Sequence, residues 1–281
     1  MRQLTLLAVL SVTGTSATAT QAAYVDVVLA DNPVGYYRLE EASSSAGAKD
    51  SSVTNATGTY NNFFNPAAFG QTGIPAGGNA VLFDGFNDWI NTNNTSIVGS
   101  DQTYTLEVWI NIGTTDLTST GYAVSHLRDN TNNRYHALGV TSGEIAIMAQ
   151  DQNSASSVVD TTPPIKQLND GKWHHLVGVF NSGNASDEDK LYLDGQLIAS
   201  MNGPAEDSAT NRVYIGLLHN RSGGTGWFKG LIDEVAIYNG LLSAERILAH
   251  YNAGITIPEP ASLALVVAGG LLMLPRRKRA A

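Results

Sequence analysis

Between residues 24 and 254 the apolar positions do not recur with a 3.6-residue period. They come in short runs rich in β-branched and aromatic residues, separated by clusters of Gly, Asn, Asp and Ser. That is the pattern of an all-β sandwich. The runs at 36–39, 80–83, 89–91, 104–112, 123–126, 135–140, 144–149, 173–181, 190–193, 196–200, 212–217 and 230–238 predict strands. In the 104–112 run, Tyr104, Leu106, Val108 and Ile110 share one face. Glu107 and Trp109 take the other, so that face is not simply solvent. Asp194-Gly195, between two runs, predicts a type I′ hairpin, because both central residues need positive φ. One helix is predicted near the end. Ser243 caps it, Glu245 lies in its first turn, Ile247 and Tyr251 share a face, and Gly254 is placed to end it. The stretches 43–52 and 181–189 are polar enough to be exposed loops.

The two ends depart from this pattern. Arg2 precedes an apolar run from Leu4 to Val12, and small residues follow as far as Ala22. This predicts a signal peptide over residues 1–22, since the run is too short for a span of about 20 residues. At the other end, Pro258-Glu259-Pro260 precedes the apolar stretch 261–274 and the basic cluster Arg276-Arg277-Lys278-Arg279. As a helix that stretch reaches about 21 Å, short of a hydrocarbon core of about 30 Å. The tripartite tail over 257–281 resembles the PEP-CTERM sorting signal of Gram-negative bacteria. The resemblance implies transient inner-membrane anchoring by the apolar helix and processing by an exosortase-type protease near Pro258, Glu259 and Pro260. It further implies delivery to the cell surface or extracellular matrix.

Composition narrows the function classes. The chain has 281 residues, no Cys, and 16 basic against 25 acidic residues. Absence of Cys excludes disulfides, iron–sulfur clusters, a cysteine nucleophile and thiolate zinc sites. Without Arg2, the four tail bases and Glu259, the body keeps 11 basic and 24 acidic residues, a net charge of −13. Such a surface repels nucleic acid and anionic lipid, and suits neutral glycans or anionic ones bridged by a divalent cation.

A series of short motifs runs along the body in order. Tyr37-Arg38-Leu39-Glu40-Glu41, Asp50 and Gly58-Thr59-Tyr60 come first, then Phe83-Asp84-Gly85 and the 104–110 run. Asp170-Gly171-Lys172-Trp173-His174-His175 and Leu191-Tyr192-Leu193-Asp194-Gly195 follow, and Phe228-Lys229-Gly230-Leu231-Ile232-Asp233-Glu234 opens the last block. Together they resemble the laminin-G-like, concanavalin A-like jelly-roll family. The resemblance implies one two-sheet jelly-roll sandwich over residues 24–254, all-β with one short C-terminal helix.

The same resemblance implies a structural Ca²⁺ held by carboxylates of the first and last strands with backbone carbonyls. The matching positions are Glu40 or Glu41, Asp50 and Asp233. Calcium takes six to eight oxygens, and such a clip would tie the chain ends together without disulfides. His174 and His175 alternate across a strand, so both cannot face one metal; one is expected to pack inward and the other to face out. For a ligand face, aromatic rings that stack on sugar C–H faces and side chains that bond hydroxyls are the relevant chemistry. Trp227, Trp89, Tyr122, Arg128 and Tyr135 are the candidates, with Trp227 favoured because a Gly-rich loop can present it at a rim.

Related jelly rolls include glycoside hydrolases and polysaccharide lyases. The hydrolase pattern Glu-x-Asp-x-x-Glu occurs nowhere in the sequence, and Asp233-Glu234 in a regular strand would put its acids on opposite faces. No catalytic residue is assigned, and no enzyme activity is expected. The sequence therefore points to a non-catalytic, lectin-like module binding an extracellular polysaccharide or surface glycan. The alternative is a protein-adhesion or structural matrix module without a glycan site.

Overall fold

The computed structural model describes residues 23–94, 103–114, 120–129, 134–141, 145–152, 155–160, 167–181, 188–202, 212–220 and 223–256. The signal-peptide and sorting-tail assignments, Pro258, Glu259 and Pro260 included, lie outside the described residues. Among the described residues no helix is long and apolar enough to cross a membrane.

In chain order the elements are α1 (Tyr24–Leu29), β1 (Gly35–Tyr37), β2 (Thr59–Asn61), β3 (Gln71–Thr72), β4 (Asn79–Asp84), β5 (Trp89–Asn91), β6 (Thr103–Asn111), β7 (Gly121–Asp129) and β8 (Arg134–Thr141). They continue with β9 (Ile145–Gln152), β10 (Ala155–Asp160), β11 (Trp173–Asn181), β12 (Glu188–Leu193), β13 (Gln196–Asn202), β14 (Arg212–Ile215), β15 (Leu218–Asn220), β16 (Gly223–Thr225), β17 (Lys229–Tyr238) and α2 (Ala244–Ile255). One sheet has eight strands in the order β13-β12-β11-β6-β17-β4-β3, with β1 also on β17. The other has seven, in the order β10-β9-β8-β7-β14-β5-β2, and β15–β16 form a separate two-stranded ribbon. The pairings are antiparallel, and the two inner faces enclose one core that includes Leu106, Val108, Ile110, Val124, Leu138, Val213, Ile215, Ile232 and Ile237. This is the two-sheet jelly-roll sandwich the sequence predicts.

The outer face of the eight-stranded sheet is covered by both helices. Trp109, Tyr36, Ala236 and Tyr238 from the sheet pack with Tyr24 and Val28 of α1 and Ala253 of α2. Trp109 is fully buried there and stacks on Tyr251 at 5.9 Å between ring centroids. Ser243 caps α2 by accepting a hydrogen bond from the Arg246 N–H, as its sequence predicts. Gly254 does not end α2, which runs on to Ile255; a Cβ at Gly254 would strike the Trp109 indole, so the position needs glycine for close packing. The short helix α1 carries no side-chain cap, and tertiary packing holds it in place.

Beneath the helices lies a buried polar network centred on Glu107. Its carboxylate accepts hydrogen bonds from the Tyr24 hydroxyl at 2.9 Å, the Tyr238 hydroxyl at 2.8 Å and His175 Nε2 at 2.8 Å. His250 Nδ1 of α2 lies 2.9 Å from the same carboxylate, and its Nε2 lies 2.7 Å from Asp31. Asp31 in turn pairs with Arg246. His174 and His175 do occupy opposite faces, but both are buried, because Asp170 and Asp194 receive the His174 ring.

Burial opposes ionisation of Glu107, but the charge and hydrogen bonds of His250 and His175 outweigh it and hold the carboxyl well below 4.5. Burial likewise opposes a charged His250, yet Glu107 and Asp31 raise it above 6.5. A raised imidazole contributes stability that is fully present below 6.5 and is lost as pH rises through the folded-state value. Wild-type Tm should therefore fall as pH rises above 6.5, whereas His250→Gln should start lower and lack that fall. Thermal melts across pH 5 to 9, as a rough range, check this. Parallel profiles for the two proteins would show that the pair contributes nothing. Glu107→Ala, which strands His250 against Asp31 alone, should cost about 3–5 kcal/mol in denaturant titration.

Candidate functional site

On the outer face of the seven-stranded sheet Ser125, Leu127, Tyr135, Ala137 and Tyr214 are buried, while Trp89, Tyr122 and Trp227 keep part of their surface in water. Along β5, Ile90 points into the core, so Trp89 and Asn91 point outward. On β14, Val213 and Ile215 are core residues and Tyr214 faces out, 5.7 Å from Trp89 between ring centroids. Register places Tyr214 beside Asn91 on one side and Ser125 on the other. The β15–β16 ribbon lies over the middle of this face. His219 stacks on Tyr214 at 4.6 Å, Leu218 packs with Tyr135 and Ala137, and Ser125 Oγ donates to the Leu217 carbonyl at 2.7 Å.

Four of the five sequence-predicted ligand residues meet here. Trp89 and Trp227 pack, half-buried, against one cluster of Leu127, Tyr214 and Leu217. Tyr122 packs with Tyr135, Ala137 and Leu218. Arg128 stands in β7, and its side chain lies outside what is described. Trp227 follows a tight approach in which the Gly226 carbonyl accepts from the Tyr122 N–H at 2.9 Å. A side chain at Gly226, with φ of 58°, would press on the Tyr122 ring. Burial, with a smaller contribution from Tyr135, pushes the Tyr122 hydroxyl up to about 12. Among the described residues neither indole N–H nor the Tyr122 hydroxyl has a hydrogen-bond partner, and each is a hydrogen-bond donor. Beside them opens a cavity of about 300 Å³ lined by Asn91, Asn93, Asn94 and Arg212. Sequence reasoning missed this amide-and-guanidinium cleft, although the Asn91-x-Asn93-Asn94 run after Trp89 could have signalled it. Stacking faces beside amide and guanidinium groups form a surface able to bind neutral polyols.

The carboxylates proposed for a metal separate into two groups. Asp50 is buried and accepts the backbone N–H groups of Tyr36, Ser52 and Ala56 at 2.8–2.9 Å. Glu41 accepts from the Lys49 N–H and the Tyr60 hydroxyl, both at 2.8 Å. Each organises its own loop. Glu40 and Asp233 instead flank one turn, 73–78: Glu40 accepts the Asn79 N–H at 2.9 Å and Asp233 the Ile74 N–H at 3.0 Å.

A β-bulge interrupts the pairing of β17 with β6 between Asp233 and Ala236, and Glu234 adopts a φ of 50°. The inserted residue breaks the alternation that would have opposed the two acids. Both now point to the outer side, Glu234 bonding the Tyr36 hydroxyl and, at 3.4 Å, Arg38. Leu39, beside Glu40, has a φ of 55°. Two non-glycine residues in the left-handed region at one cluster mark a constrained site. Burial, reinforced by Glu234 and Glu40, pushes the Asp233 carboxyl well up, and burial pushes Glu234 up to about 7. Asp233 Oδ1 is buried with no hydrogen-bond partner among the described residues. An orphaned carboxylate oxygen among three acids and one Arg fits a hard cation. Among the described residues no three acidic or imidazole side chains converge as a ready ligand set. Backbone carbonyls and water would have to complete any coordination shell.

Comparison with known proteins gives the fold a family. A family model described as the concanavalin A-like lectin/glucanases superfamily matches residues 83–248. No curated protein sequence matches the chain. Among solved structures, domain 4 of AbnA, a GH43 extracellular arabinanase from Geobacillus stearothermophilus, in complex with arabinotriose, aligns at a TM-score of 0.53 and 17% identity. The alignment covers 78% of this chain and 98% of that domain. The binding domain of botulinum neurotoxin serotype D aligns at 0.55 with 17% identity, and that of Paraclostridial Mosquitocidal Protein 1 at 0.54 with 17%. Each of these two alignments covers 80% of this chain, which spans about half of either toxin domain, 52% and 53%. At such identities the likeness establishes fold alone.

Asp50→Ala would leave three backbone amides without an acceptor. It should lower unfolding free energy by roughly 2–6 kcal/mol, at about 1–3 kcal/mol for each of the buried Tyr36 and Ser52 amides. Chemical denaturation measures this, and a loss below about 0.5 kcal/mol, the level of a neutral surface substitution, would contradict the structural role.

Proposed function

Because the chain belongs to the concanavalin A-like lectin/glucanases superfamily, we propose that it is a non-catalytic carbohydrate-binding protein of the cell exterior. Its site is the outer face of the seven-stranded sheet. The observation that carries this reading is the set of half-buried aromatics with hydrogen-bond donors, Trp89, Trp227 and Tyr122, beside the Asn91–Asn93–Arg212 cleft. A ring that is half-buried is already fixed in orientation, so stacking a sugar on it costs little further entropy. The amides and the guanidinium then have hydroxyls to bond. Stacking and hydrogen bonding suffice for this work, and no proton transfer is required of the site. The strongly acidic body favours a neutral glycan. Export, exosortase-type processing and surface or matrix delivery belong to the same proposal and rest on the two ends of the sequence.

We further propose that Asp233 and Glu40, with carbonyl oxygens of the 73–78 turn, hold a structural Ca²⁺. The support is the orphaned Asp233 oxygen and the negative charge that Glu234 and Glu40 add beside it. The ion would neutralise that charge and fasten the β1 end of the chain to β17.

Two outcomes are expected. Trp89→Ala and Trp227→Ala should each weaken binding to a glycan array by about tenfold or more, the scale of 1.4 kcal/mol, without changing the fold. Unchanged array profiles in both variants would remove this face from the binding site. EDTA should lower the wild-type Tm, and Asp233→Asn should have a Tm that no longer responds to EDTA or Ca²⁺. A wild-type melt indifferent to chelation refutes the ion.

A further inference from the structure

Two phenylalanines stand almost entirely in water at one end of the candidate face. Phe64 is 84% exposed and Phe86 is 75% exposed. They belong to different loops, one following β2 and one joining β4 to β5, and the loops are bonded together: Asn62 Nδ2 donates to the Asn87 carbonyl at 2.9 Å. Both loops abut Trp89. Asn61, at the end of β2, is the register partner of Trp89, and Phe86 precedes Trp89 by three residues.

The presentation is rigid on both sides. Asp84 Oδ1 accepts the N–H groups of Phe86, Asn87 and Asp88 at 2.7–3.4 Å, which fixes the tight turn that carries Phe86. Phe63 is anchored in the core edge-on to Tyr60 and Phe83, at ring-centroid distances of 5.1 Å, and this leaves the neighbouring Phe64 outward. A phenyl ring held in water by a preorganised loop contributes nothing to the core. Amides surround the two rings, those of Asn61, Asn62, Asn65 and Asn87, and the Phe86 turn also carries Asp84 and Asp88 with Lys229 beside it. Amides beside exposed rings offer hydrogen bonds to a hydroxyl-bearing ligand, and the carboxylates at the Phe86 turn together with the acidic body disfavour polyanions and anionic membranes.

We propose that Phe64 and Phe86 extend the binding face into a rim for the continuation of a neutral polysaccharide, so that the protein recognises internal stretches of a long chain. This inference rests on the carbohydrate reading above. The Trp89–Tyr214 region and its cleft take one part of the glycan, and the two phenyl rings stack on residues further along it. A ligand of two or three sugars fills the first part and leaves the rim empty.

The test uses the full chain against matched trisaccharide and polymer pairs: arabinotriose with linear arabinan, xylotriose with xylan, cellotriose with soluble cellulose derivatives and maltotriose with amylose. Calorimetry and affinity electrophoresis read the affinities. For the sugar that binds, wild type should prefer polymer over trisaccharide by about tenfold or more. The Phe64→Ala/Phe86→Ala double variant should lose that preference while its trisaccharide affinity and Tm stay at wild-type values. Equal affinity of wild type for trisaccharide and polymer overturns the rim and leaves the carbohydrate reading standing. So does a double variant whose polymer affinity is unchanged. Binding to no glycan, by a folded wild type, overturns both. Capture by a second copy of the chain, seen as wild-type dimerisation that the double variant abolishes, would assign the rim to self-association and overturn the proposal.

Discussion

A carboxylate buried under two helices fastens both of them over one side of this sandwich. Glu107 sits in the middle of the eight-stranded sheet on its outer face, with no exposure to water. A charge in that position is tolerable only with every lone pair engaged. Its partners come from elements far apart in sequence: Tyr24 from α1, His175 from β11, Tyr238 from β17 and His250 from α2. The two helices are thereby fastened to the sheet and to each other, through Asp31 and Arg246, at the two ends of the domain. On the other sheet's outer face the β15–β16 ribbon, among the described residues, buries Tyr214 and Tyr135 and leaves Trp89, Tyr122 and Trp227 half-buried.

The same logic explains the acidic cluster at Asp233. Both buried carboxylate sites lie on the outer side of the eight-stranded sheet, but they are satisfied differently. Glu107 is surrounded by donors and is held ionised. Glu234 and Glu40 share the Arg38 guanidinium, and burial raises both Asp233 and Glu234. One site is complete with protein groups, whereas the other has an oxygen to spare. The backbone ladder already ties β1 to β17, and a cation here would reinforce that tie. Placing the incomplete site between the turn after β3 and the bulge in β17 puts any bound cation where it would do that.

Much of the fold was legible because strands and the capped helix carry local signals. Alternation in the 104–112 run set Glu107 and Trp109 on a face that was not solvent, and Ser243 marked the start of α2. The type I′ hairpin at Asp194-Gly195 has φ values of 50° and 77°, as its dipeptide requires. What could not be read depends on contacts remote in sequence. Six residues of α1 are too few to show a period, and their helix exists because Tyr24 and Val28 have a sheet to cover. Gly254 looked like a terminator because the Trp109 ring that demands it lies about 145 residues away in the chain. The bulge at Glu234 has no sequence mark at all, and it alone decides that the two acids share a side.

For the site, the sequence supplied residue types and the fold supplied their neighbours. Trp89, Tyr122, Tyr135 and Trp227 lie up to 138 residues apart and still share one face, since β5, β7, β8 and the segment after β16 are laid side by side or over one another. Glu41 and Asp50 matched the carboxylate pattern yet serve loop amides, because a short acid next to free N–H groups bonds them before anything else. Phe64 and Phe86 drew no notice in the sequence, because a lone aromatic in a polar loop has no periodicity to break. The β2–β5 pairing and the Asn62–Asn87 bond make their loops neighbours. Strand patterning thus leaves loop chemistry at the end of a face free to vary while the sandwich beneath stays the same.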